Sequence, residues 1–399
     1  MPETVMILGA GIFQLRIIER ARRLGLVTHV VSIPGAYPGI KQADVFHPVD
    51  TTDIPSVVRL ATNIRPRAIV TSGSDVCVEA MGAANDALGL AGISRSIAQT
   101  ISHKDRFRQF QNAHGIPAPR CISASDSDEL YEKLQELSLP VIVKPSDSSG
   151  SRGVSRLMNR SAADTSSAYE LARRHSLRGV VCAEESLAGR EVGGNALLWN
   201  GKIHFAAITA KHMDRFLVRG HHYPAELTDE QQRAVKAAVS DCCAALGYSH
   251  GPVNFDVFVN GTSATVIELG ARLGGNGTTD LTERAFGYDI ETEAIRVAMG
   301  QAPLLHSAAA VSSCGSLVFG SATNGILTNI ASECELRMQC SELVSLTVRL
   351  TIGDTVPRMT SNADAIGYAL FDLRNGSDWE SASRRIELAL SIAVRGGDR

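Results

Sequence analysis

The chain has 399 residues, of which 44% are hydrophobic and 20% charged, which is typical of globular proteins and excludes disordered, collagen-like and coiled-coil chains. One hydrophobic core rarely serves this length, so we expect two or three packed units. The formal net charge of -3 excludes an overall basic field for nucleic acid or anionic lipid, so small-molecule partners are expected, without nucleic acid or membrane.

Targeting signals and cysteine spacing point to the cellular compartment. No apolar run reaches the roughly 20 residues that span a bilayer, and the first residues lack a basic segment and a cleavage site. A cytoplasmic location is therefore expected. The eight cysteines show no CxxC or zinc spacing, which predicts reduced and mostly buried thiols.

The first 100 or so residues alternate between strand and helix patterns. An apolar strand over Val5–Leu8 enters a glycine turn and an amphipathic helix, and further strand and helix segments follow to about residue 88. This rhythm predicts a parallel α/β unit. Gly9 and Gly11 suggest a dinucleotide fingerprint, but Gln14 occupies the third glycine position and no carboxylate follows the second strand. A tight structural turn is the better interpretation.

A Gly/Ser-rich loop follows the strand that ends at Lys144. The loop DSSGSRG offers hydroxyls, a cation and backbone N–H groups that glycine leaves accessible, which suits a polyphosphate. It is not a Walker A loop, because the lysine precedes it and GxxxxGK[ST] is absent. The alternative is an ordinary solvated loop with a surface lysine.

Two carboxylates flank a predicted hairpin. Asp256 in VNFDVFV and Glu268 in ATVIELG lie among apolar residues, and the turn at Asn260 and Gly261 brings their strands together. Convergent oxygen ligands suit an Mg²⁺ ion that also binds phosphates. The alternative is that both carboxylates pair with Arg272 or Lys211.

A third acidic group follows the strand VVCA. Glu184, Glu185 and Glu191 can accept hydrogen bonds from an adenine amino group or ribose hydroxyls, but taken alone they favour a solvated charge pair.

Beyond about residue 300 the pattern is of strands and turns, with a last helix predicted over 377–394. Taken together, the chain resembles the ATP-grasp superfamily and, within it, the carboxylate–amine ligases such as the L-amino acid ligases. Seven motifs in order carry the resemblance: ILGAG, HKDRFRQFQNAHGIPAP, VIVKPSDSSGSRGV, VCAEESLAGRE, GHHYPAEL, FDVFV and IELGARLGG.

The resemblance implies an α/β and α+β fold in three units. These are an N-terminal parallel α/β (preATP-grasp) domain over 1–100, an ATP-grasp domain over 101–300 that binds ATP and Mg²⁺, and a C-terminal α+β domain over 301–399. It implies ATP and Mg²⁺, with Mn²⁺ as an alternative, as cofactors, and a homodimer is one option for the assembly.

The resemblance also implies a role for each site residue. The ATP-binding residues would be Lys104, Lys144, Ser149, Gly150, Ser151, Gly153, Val154, Glu184, Glu185, Leu187 and Glu191. The metal ligands would be Asp256 and Glu268, and the catalytic residues Arg272, Lys144 and Gly275. The substrate would be contacted by His221, His222, Lys211, Arg272, Gly274 and Asn276. For the two histidines, solvent-exposed loop positions are the alternative.

One position departs from the family pattern. These ligases usually place an asparagine two residues after the second metal carboxylate, and this chain has Gly270 there. A metal ligand is therefore missing, and water or Asn276 is the expected substitute.

The implied reaction joins a carboxylate and an amine. ATP phosphorylates the carboxylate, an amine attacks the acyl phosphate, and an amide forms with ADP and phosphate as products. Amino acids or small peptides are the expected substrates. Two alternatives stay open: a purine-pathway type ligase that uses formate or bicarbonate, and a non-catalytic nucleotide-binding protein, which Gly270 motivates.

Overall fold

A computed structural model describes residues 2–304, 312–373 and 377–396. The N-terminal part is a parallel sheet in the order β3-β2-β1-β4. Its strands are β1 (Thr4–Leu8), β2 (Val27–Ser32), β3 (Val45–Pro48) and β4 (Ala68–Val70). The accompanying helices are α1 (Leu15–Arg23), α2 (Ile54–Ile64), α3 (Val78–Leu88), α4 (Arg95–Ser102) and α5 (Lys104–Ala113). The predicted parallel α/β unit is confirmed.

The glycine turn after β1 is closed by a side chain of the same turn. Gly9 has a positive φ of 98°, and the Gly11 amide donates to Gln14 Oε1 at 2.8 Å. The Gln14 amide in turn donates to the Ser72 carbonyl. Gln14 thus occupies the turn, as a structural role for these glycines predicts.

A small antiparallel sheet carries the Gly/Ser-rich loop. Its order is β5-β8-β6-β7, with β5 (Cys121–Ala124), β6 (Val141–Pro145), β7 (Ser155–Leu157) and β8 (Val181–Glu185). Helices α6 (Ser127–Lys133) and α7 (Ala162–Arg174) cover it. The loop connects β6 to β7 and therefore begins directly after Pro145, one residue beyond Lys144.

A large antiparallel sheet runs in the order β13-β12-β9-β10-β11-β14-β18-β16. Its strands are β9 (Arg190–Trp199), β10 (Lys202–Asp214), β11 (Leu217–Tyr223), β12 (Gly251–Asn260), β13 (Ser263–Gly270), β14 (Cys314–Phe319), β16 (Leu343–Val348) and β18 (Gly367–Asp372). Helix α8 (Asp229–Leu246) packs on it. Because β11 pairs with β14, this sheet continues across residue 300 into the C-terminal part.

The remaining elements complete the C-terminal part. They are α9 (Thr278–Phe286), α10 (Ile290–Ala298), α11 (Glu333–Gln339) and α12 (Trp379–Ala389), with β15 (Gly325–Asn329), β17 (Thr355–Val356) and β19 (Ala393–Arg395) in a three-stranded sheet. The predicted last helix over 377–394 is too long. The chain reverses at Ser391, which has a positive φ of 48°, and then pairs β19 with β15.

Two contacts join the N-terminal sheet to the end of β13. Ser72 and Leu273 form a parallel bridge, and the Gly73 amide donates to the Leu273 carbonyl at 2.9 Å. The loop after β4 is thereby held against the segment that follows the carboxylate hairpin. In the part of the chain that the structure describes, no helix is long and apolar enough to cross a lipid bilayer.

Candidate active site

A cleft of about 850 Å³ lies between the N-terminal parallel sheet, the small antiparallel sheet and the large antiparallel sheet. Its walls come from the loop after β4, the β6–β7 loop, the segment after β8, strands β10 to β13 and the turn after β13. Most residues predicted for the site line it: Lys104, Lys144, Ser149, Gly150, Ser151, Val154, Glu184, Glu185, Leu187, Glu191, Lys211, His221, Asp256, Glu268, Arg272, Gly274, Gly275 and Asn276. Gly153 and His222 are not among the lining residues.

Two lysines enter the cleft from different elements. Lys144 is the penultimate residue of β6, and its Nζ donates to Glu184 Oε2 at 2.6 Å. Lys104 begins α5, and its Nζ donates to the Ser148 carbonyl at 2.8 Å. Lys104 is thereby attached to the Gly/Ser-rich loop itself, and two cations face the space that this loop encloses.

Glu184 is a buried ion-paired carboxylate, so the expected solvated charge pair is wrong. Its side chain is 6% exposed and contacts Arg108 Nε at 3.1 Å as well as Lys144. Burial by itself would raise the pKa of Glu184, but the charges of Arg108 and Lys144 outweigh burial and lower it to about 2. Glu185, beside it, accepts a hydrogen bond from the Ser138 amide at 2.7 Å.

Glycine shapes the loop at two points. Gly150 has a φ of 68° and its carbonyl accepts from the Asn362 amide at 3.3 Å, so the loop tip touches the C-terminal part. Gly153 has a φ of 72°, and a Cβ there would lie 3.1 Å from the Leu171 carbonyl. A glycine is thus required at position 153 by the positive φ and by the close contact with Leu171. This role is structural, and Gly153 does not line the cleft.

The carboxylate hairpin brings Asp256 and Glu268 into direct register across β12 and β13. Asp256 Oδ2 lies 2.8 Å from Lys211 Nζ, and Lys211 also contacts Glu191 Oε1 at 2.5 Å. Burial opposes the charge of Lys211, but Asp256 and Glu191 raise its pKa. The alternative that Lys211 pairs with the hairpin thus holds for Asp256. Glu268 Oε1 is 3.8 Å from Lys104 Nζ.

These two carboxylates fit an ion whose other ligands are phosphate oxygens and water. Among residues 2–304, 312–373 and 377–396, no group of three or more His, Cys, Asp or Glu side chains is arranged to hold a metal. Mg²⁺ is commonly held by one or two carboxylates together with substrate phosphates, and Asp256 and Glu268 supply such a pair.

Arg272 is held by a residue that the sequence analysis missed. Its Nε and Nη2 donate to Asp75 Oδ1 and Oδ2 at 2.8 and 2.7 Å, and Nη1 donates to Asn254 Oδ1 at 2.8 Å. Asp75 lies in the loop after β4. Ligands of parallel sheets bind at the carboxyl ends of the strands, so this position in the sequence could have indicated that Asp75 belongs to the site. Asn254 precedes Asp256 by two residues and shares its face of β12.

Gly270 lies opposite Asn254 in the hairpin register. A Cβ at this position would be 3.3 Å from Asp75 Oδ1 and 3.4 Å from the Arg272 guanidinium. The absence of a side chain therefore leaves room beside the Asp75–Arg272 pair. Asn276, expected as a substitute ligand, lines the cleft with a positive φ of 57°.

The two histidines are buried on β11, so the alternative of exposed loop histidines is wrong. His221 faces the cleft, with its Nδ1 3.0 Å from Thr209 Oγ1. Burial, with the charge of Lys211, lowers the pKa of His221 to about 3. His222 faces the other side of the sheet, because neighbouring residues of a strand alternate. There it contacts His212 at 2.7 Å and Glu226 at 2.5 Å.

Residues 137–280 match the ATP-grasp domain family. This segment contains the Gly/Ser-rich loop, the strands β6 and β8 that carry Lys144 and Glu184, and the carboxylate hairpin. This segment of the chain is thus similar to ATP-grasp domains. The ATP-grasp fold covers nearly all of the chain: an L-amino acid ligase from Bacillus licheniformis superposes with a TM-score of 0.82 at 20% identity, covering 99% of each chain. A phosphoribosylglycinamide synthetase from Anaerococcus prevotii has a TM-score of 0.76 at 21% identity, covering 99% of this chain and 100% of that one.

Curated relatives match parts of the chain. An uncharacterized protein, y4rH, of Sinorhizobium fredii is 28% identical over 71% of this chain and 61% of its own length. A formate-dependent phosphoribosylglycinamide formyltransferase of a Synechococcus species is 30% identical over 43% of this chain and 44% of its own. The aligned regions thus span less than two thirds of either relative.

Proposed function

We propose that the protein is an ATP-dependent carboxylate–amine ligase that forms an amide or peptide bond through an acyl phosphate and releases ADP and phosphate. The expected substrates are amino acids or small peptides. One observation carries the proposal: Lys104, Lys144 and the Gly/Ser-rich loop share a single cleft with the Asp256–Glu268 hairpin and Arg272. The cleft therefore combines a polyphosphate site and a metal site with the positive charge of Arg272 beside them.

The nucleotide would lie between the small sheet and the hairpin. Lys104 and Lys144 would contact its phosphates, and the loop over Ser149–Gly153 would close over them with Val154 at its base. The segment with Glu184, Glu185 and Leu187 would hold the adenine, and Glu191 the ribose. Lys144 and Glu184 already form an ion pair at 2.6 Å, so a phosphate would share the ammonium with this carboxylate.

Asp256 and Glu268 would hold Mg²⁺, or Mn²⁺ in its place. A metal ion there would neutralise charge on the transferring phosphoryl group. The positive charges of Lys104, Lys144 and Arg272 line the same cleft and would add to this neutralisation. Gly274, Gly275 and Asn276 bring backbone close to Arg272, and we propose that this turn faces the acyl phosphate.

Exclusion of water is the second task of the site, because an acyl phosphate hydrolyses when water enters. The Gly/Ser-rich loop contacts the C-terminal part through Gly150 and Asn362. This contact would keep the loop over the nucleotide while the amine attacks. An α-amine with a pKa of about 8 is partly neutral at cytosolic pH, so no dedicated base is required.

A second candidate is a purine-pathway type ligase that uses formate or bicarbonate. The similarity to the formate-dependent formyltransferase favours it. Such an enzyme needs cations for a sugar phosphate, and Arg152, Arg156 and Arg215 line the cleft.

Phosphate release from ATP, measured across amino-acid pairs, formate and phosphoribosyl amines, tests these proposals. Release that requires an amino acid and an amine supports the first, and release that requires formate or bicarbonate supports the second. ATP binding without release under any condition would contradict both and indicate a non-catalytic nucleotide-binding protein. Sedimentation of the same preparation tests the proposed homodimer.

A further inference from the structure

Arg272 has little remaining capacity to bind a substrate anion in this structure. Its four recorded hydrogen bonds go to Asp75 Oδ1 and Oδ2, Asn254 Oδ1 and the Leu273 carbonyl. A guanidinium has five N–H groups, so four of them are committed. The arginine that the family pattern assigns to the substrate is therefore already engaged by protein groups.

Asp75 is the member of the pair with acceptor capacity towards the cleft. Its side chain is 26% exposed and lines the cleft, whereas that of Arg272 is 12% exposed. A carboxylate has about four acceptor sites; Arg272 uses one on each oxygen and the Ser149 side chain uses a third. One further donor can therefore approach Asp75 from the cleft while these contacts stay in place.

The position of Asp75 is determined by backbone contacts that precede it. The Ser72–Leu273 bridge and the Gly73 hydrogen bond hold its loop against the segment that carries Arg272. Gly270 adds the necessary space, because a side chain there would stand 3.3 Å from Asp75 Oδ1. Asp75 is thus a fixed acceptor whose side chain is still 26% exposed towards the cleft.

The charges around Asp75 select the kind of ligand. Burial would raise its pKa, but Arg272, Lys104 and Ser149 lower it, so the carboxylate is ionised. A divalent metal ion would be strongly repelled by a guanidinium bonded to both oxygens. An ammonium group carries half that charge and brings an N–H donor to the remaining acceptor site.

We propose that Asp75 binds the ammonium group of the substrate whose carboxylate is activated, so that this substrate is an α-amino acid with a free amine. The inference rests on the proposed ligase function and adds a specificity residue to it. Asp75 suits this amine rather than the attacking one, because an ionised carboxylate stabilises the protonated form and an attacking amine must be neutral.

The test uses hydroxylamine as the amine, because it converts an acyl phosphate into a measurable hydroxamate. The intact protein is assayed with ATP and Mg²⁺ against α-amino acids and the matched acids that lack the amine, such as alanine and propionate. We expect kcat/KM to favour the amino acid of the best pair by about tenfold or more, as one charge-assisted hydrogen bond allows.

Asp75→Asn is expected to remove this preference by raising KM for the amino acid, while the matched acid and ATP keep their KM. If Asp75 only positions Arg272, both acids lose activity equally, and the inference is wrong. Gly270→Ala leaves both side chains of the Asp75–Arg272 pair in the protein and crowds their approach, so it should also raise KM selectively. It provides the test if Asp75→Asn does not fold. Asp86→Asn, an exposed change in the same N-terminal part, is the matched control.

The wild-type result separates the two proposals. Hydroxamate formed equally well from both members of each pair overturns the ammonium site and leaves the ligase function intact. No hydroxamate from any carboxylate, while ATP still binds, overturns the ligase function and the inference with it.

Discussion

Lys211 Nζ lies 2.8 Å from Asp256 Oδ2, so a buried ammonium is bonded to a carboxylate proposed to bind metal. The same ammonium contacts Glu191 at 2.5 Å, and its side chain is 7% exposed. A cation of the protein thus occupies one side of Asp256. It offsets part of the charge of both carboxylates when no metal is bound, and it would compete with a metal ion for Asp256.

Lys211→Met is therefore expected to affect stability and metal binding in opposite directions. Without Mg²⁺ the variant should lose about 1–3 kcal/mol of unfolding free energy, because Asp256 and Glu191 lose their buried partner. With ADP present it should bind Mg²⁺ more tightly. Denaturant unfolding and Mn²⁺ titration by electron paramagnetic resonance measure the two effects. Lys236→Met on α8 is the control, and weaker metal binding in the Lys211 variant would contradict the competition.

Glu268→Gln should abolish ADP formation and leave the fold intact. The substitution keeps the size of the side chain and removes the charge proposed to bind metal, and loss of one such electrostatic contact costs about 10²–10³ in kcat. Steady-state ADP release and the thermal unfolding midpoint are measured together, with Asp241→Asn on α8 as the control. Normal turnover in Glu268→Gln would refute the metal assignment.

Gly270→Asn tests the departure from the family pattern. An asparagine would return an oxygen ligand and should lower the Mg²⁺ concentration for half-maximal ADP formation. It would also crowd Asp75, whose Oδ1 lies 3.3 Å from the added Cβ, and should raise KM for the carboxylate substrate. Metal titrations at saturating ATP check the first effect. An unaltered Mg²⁺ dependence would show that no ligand is missing at this position.

The His212–His222 pair predicts a loss of stability in mild acid. Burial is the main cause that lowers the pKa of both rings to about 4. The charge of Arg190 lowers the pKa of both rings further, and His222 also lowers that of His212. In the unfolded chain both titrate at about 6.5. The unfolded state therefore binds more protons between pH 6.5 and 4, and stability falls as pH decreases through that window.

The thermal unfolding midpoint should therefore be lower at pH 5 than at pH 7. This difference between the two pH values should be smaller in His222→Gln. His114→Gln, which changes an exposed histidine, should keep the wild-type dependence. Equal pH dependence in all three proteins would mean that these buried rings do not control acid stability.

Local sequence patterns predicted the carboxylate hairpin correctly. The strand patterns and the turn at Asn260 and Gly261 are local, so the pairing of the two strands could be predicted without knowledge of the rest of the fold. The pairing of Asn260 with Ser263 would by itself place Ile267 opposite Asp256, and a register shift between Asp256 and Val257 brings Glu268 there instead. The Gly/Ser-rich loop after Lys144 was predictable for the same reason, because it depends on neighbouring residues in the chain.

The partner of each charge could not be predicted in this way. Glu184 looked solvated because its partner Arg108 is 76 residues away and buried. The sequence does not distinguish His222 from His221, but only His221 lies on the face of β11 that lines the cleft. Neighbouring residues of a strand point in opposite directions, but only packing decides which direction is the cleft.

The sequence by itself determined most of the elements, the parallel N-terminal sheet and the carboxylate hairpin, since these follow from short-range pattern. The ATP-grasp motifs were found by their resemblance to a known family. The tertiary structure alone decided that Arg272 is bound by Asp75, which is 197 residues distant. That contact depends on how the N-terminal sheet docks against the end of β13. Side-chain pairing across such an interface is set by packing between units, and no local pattern encodes it.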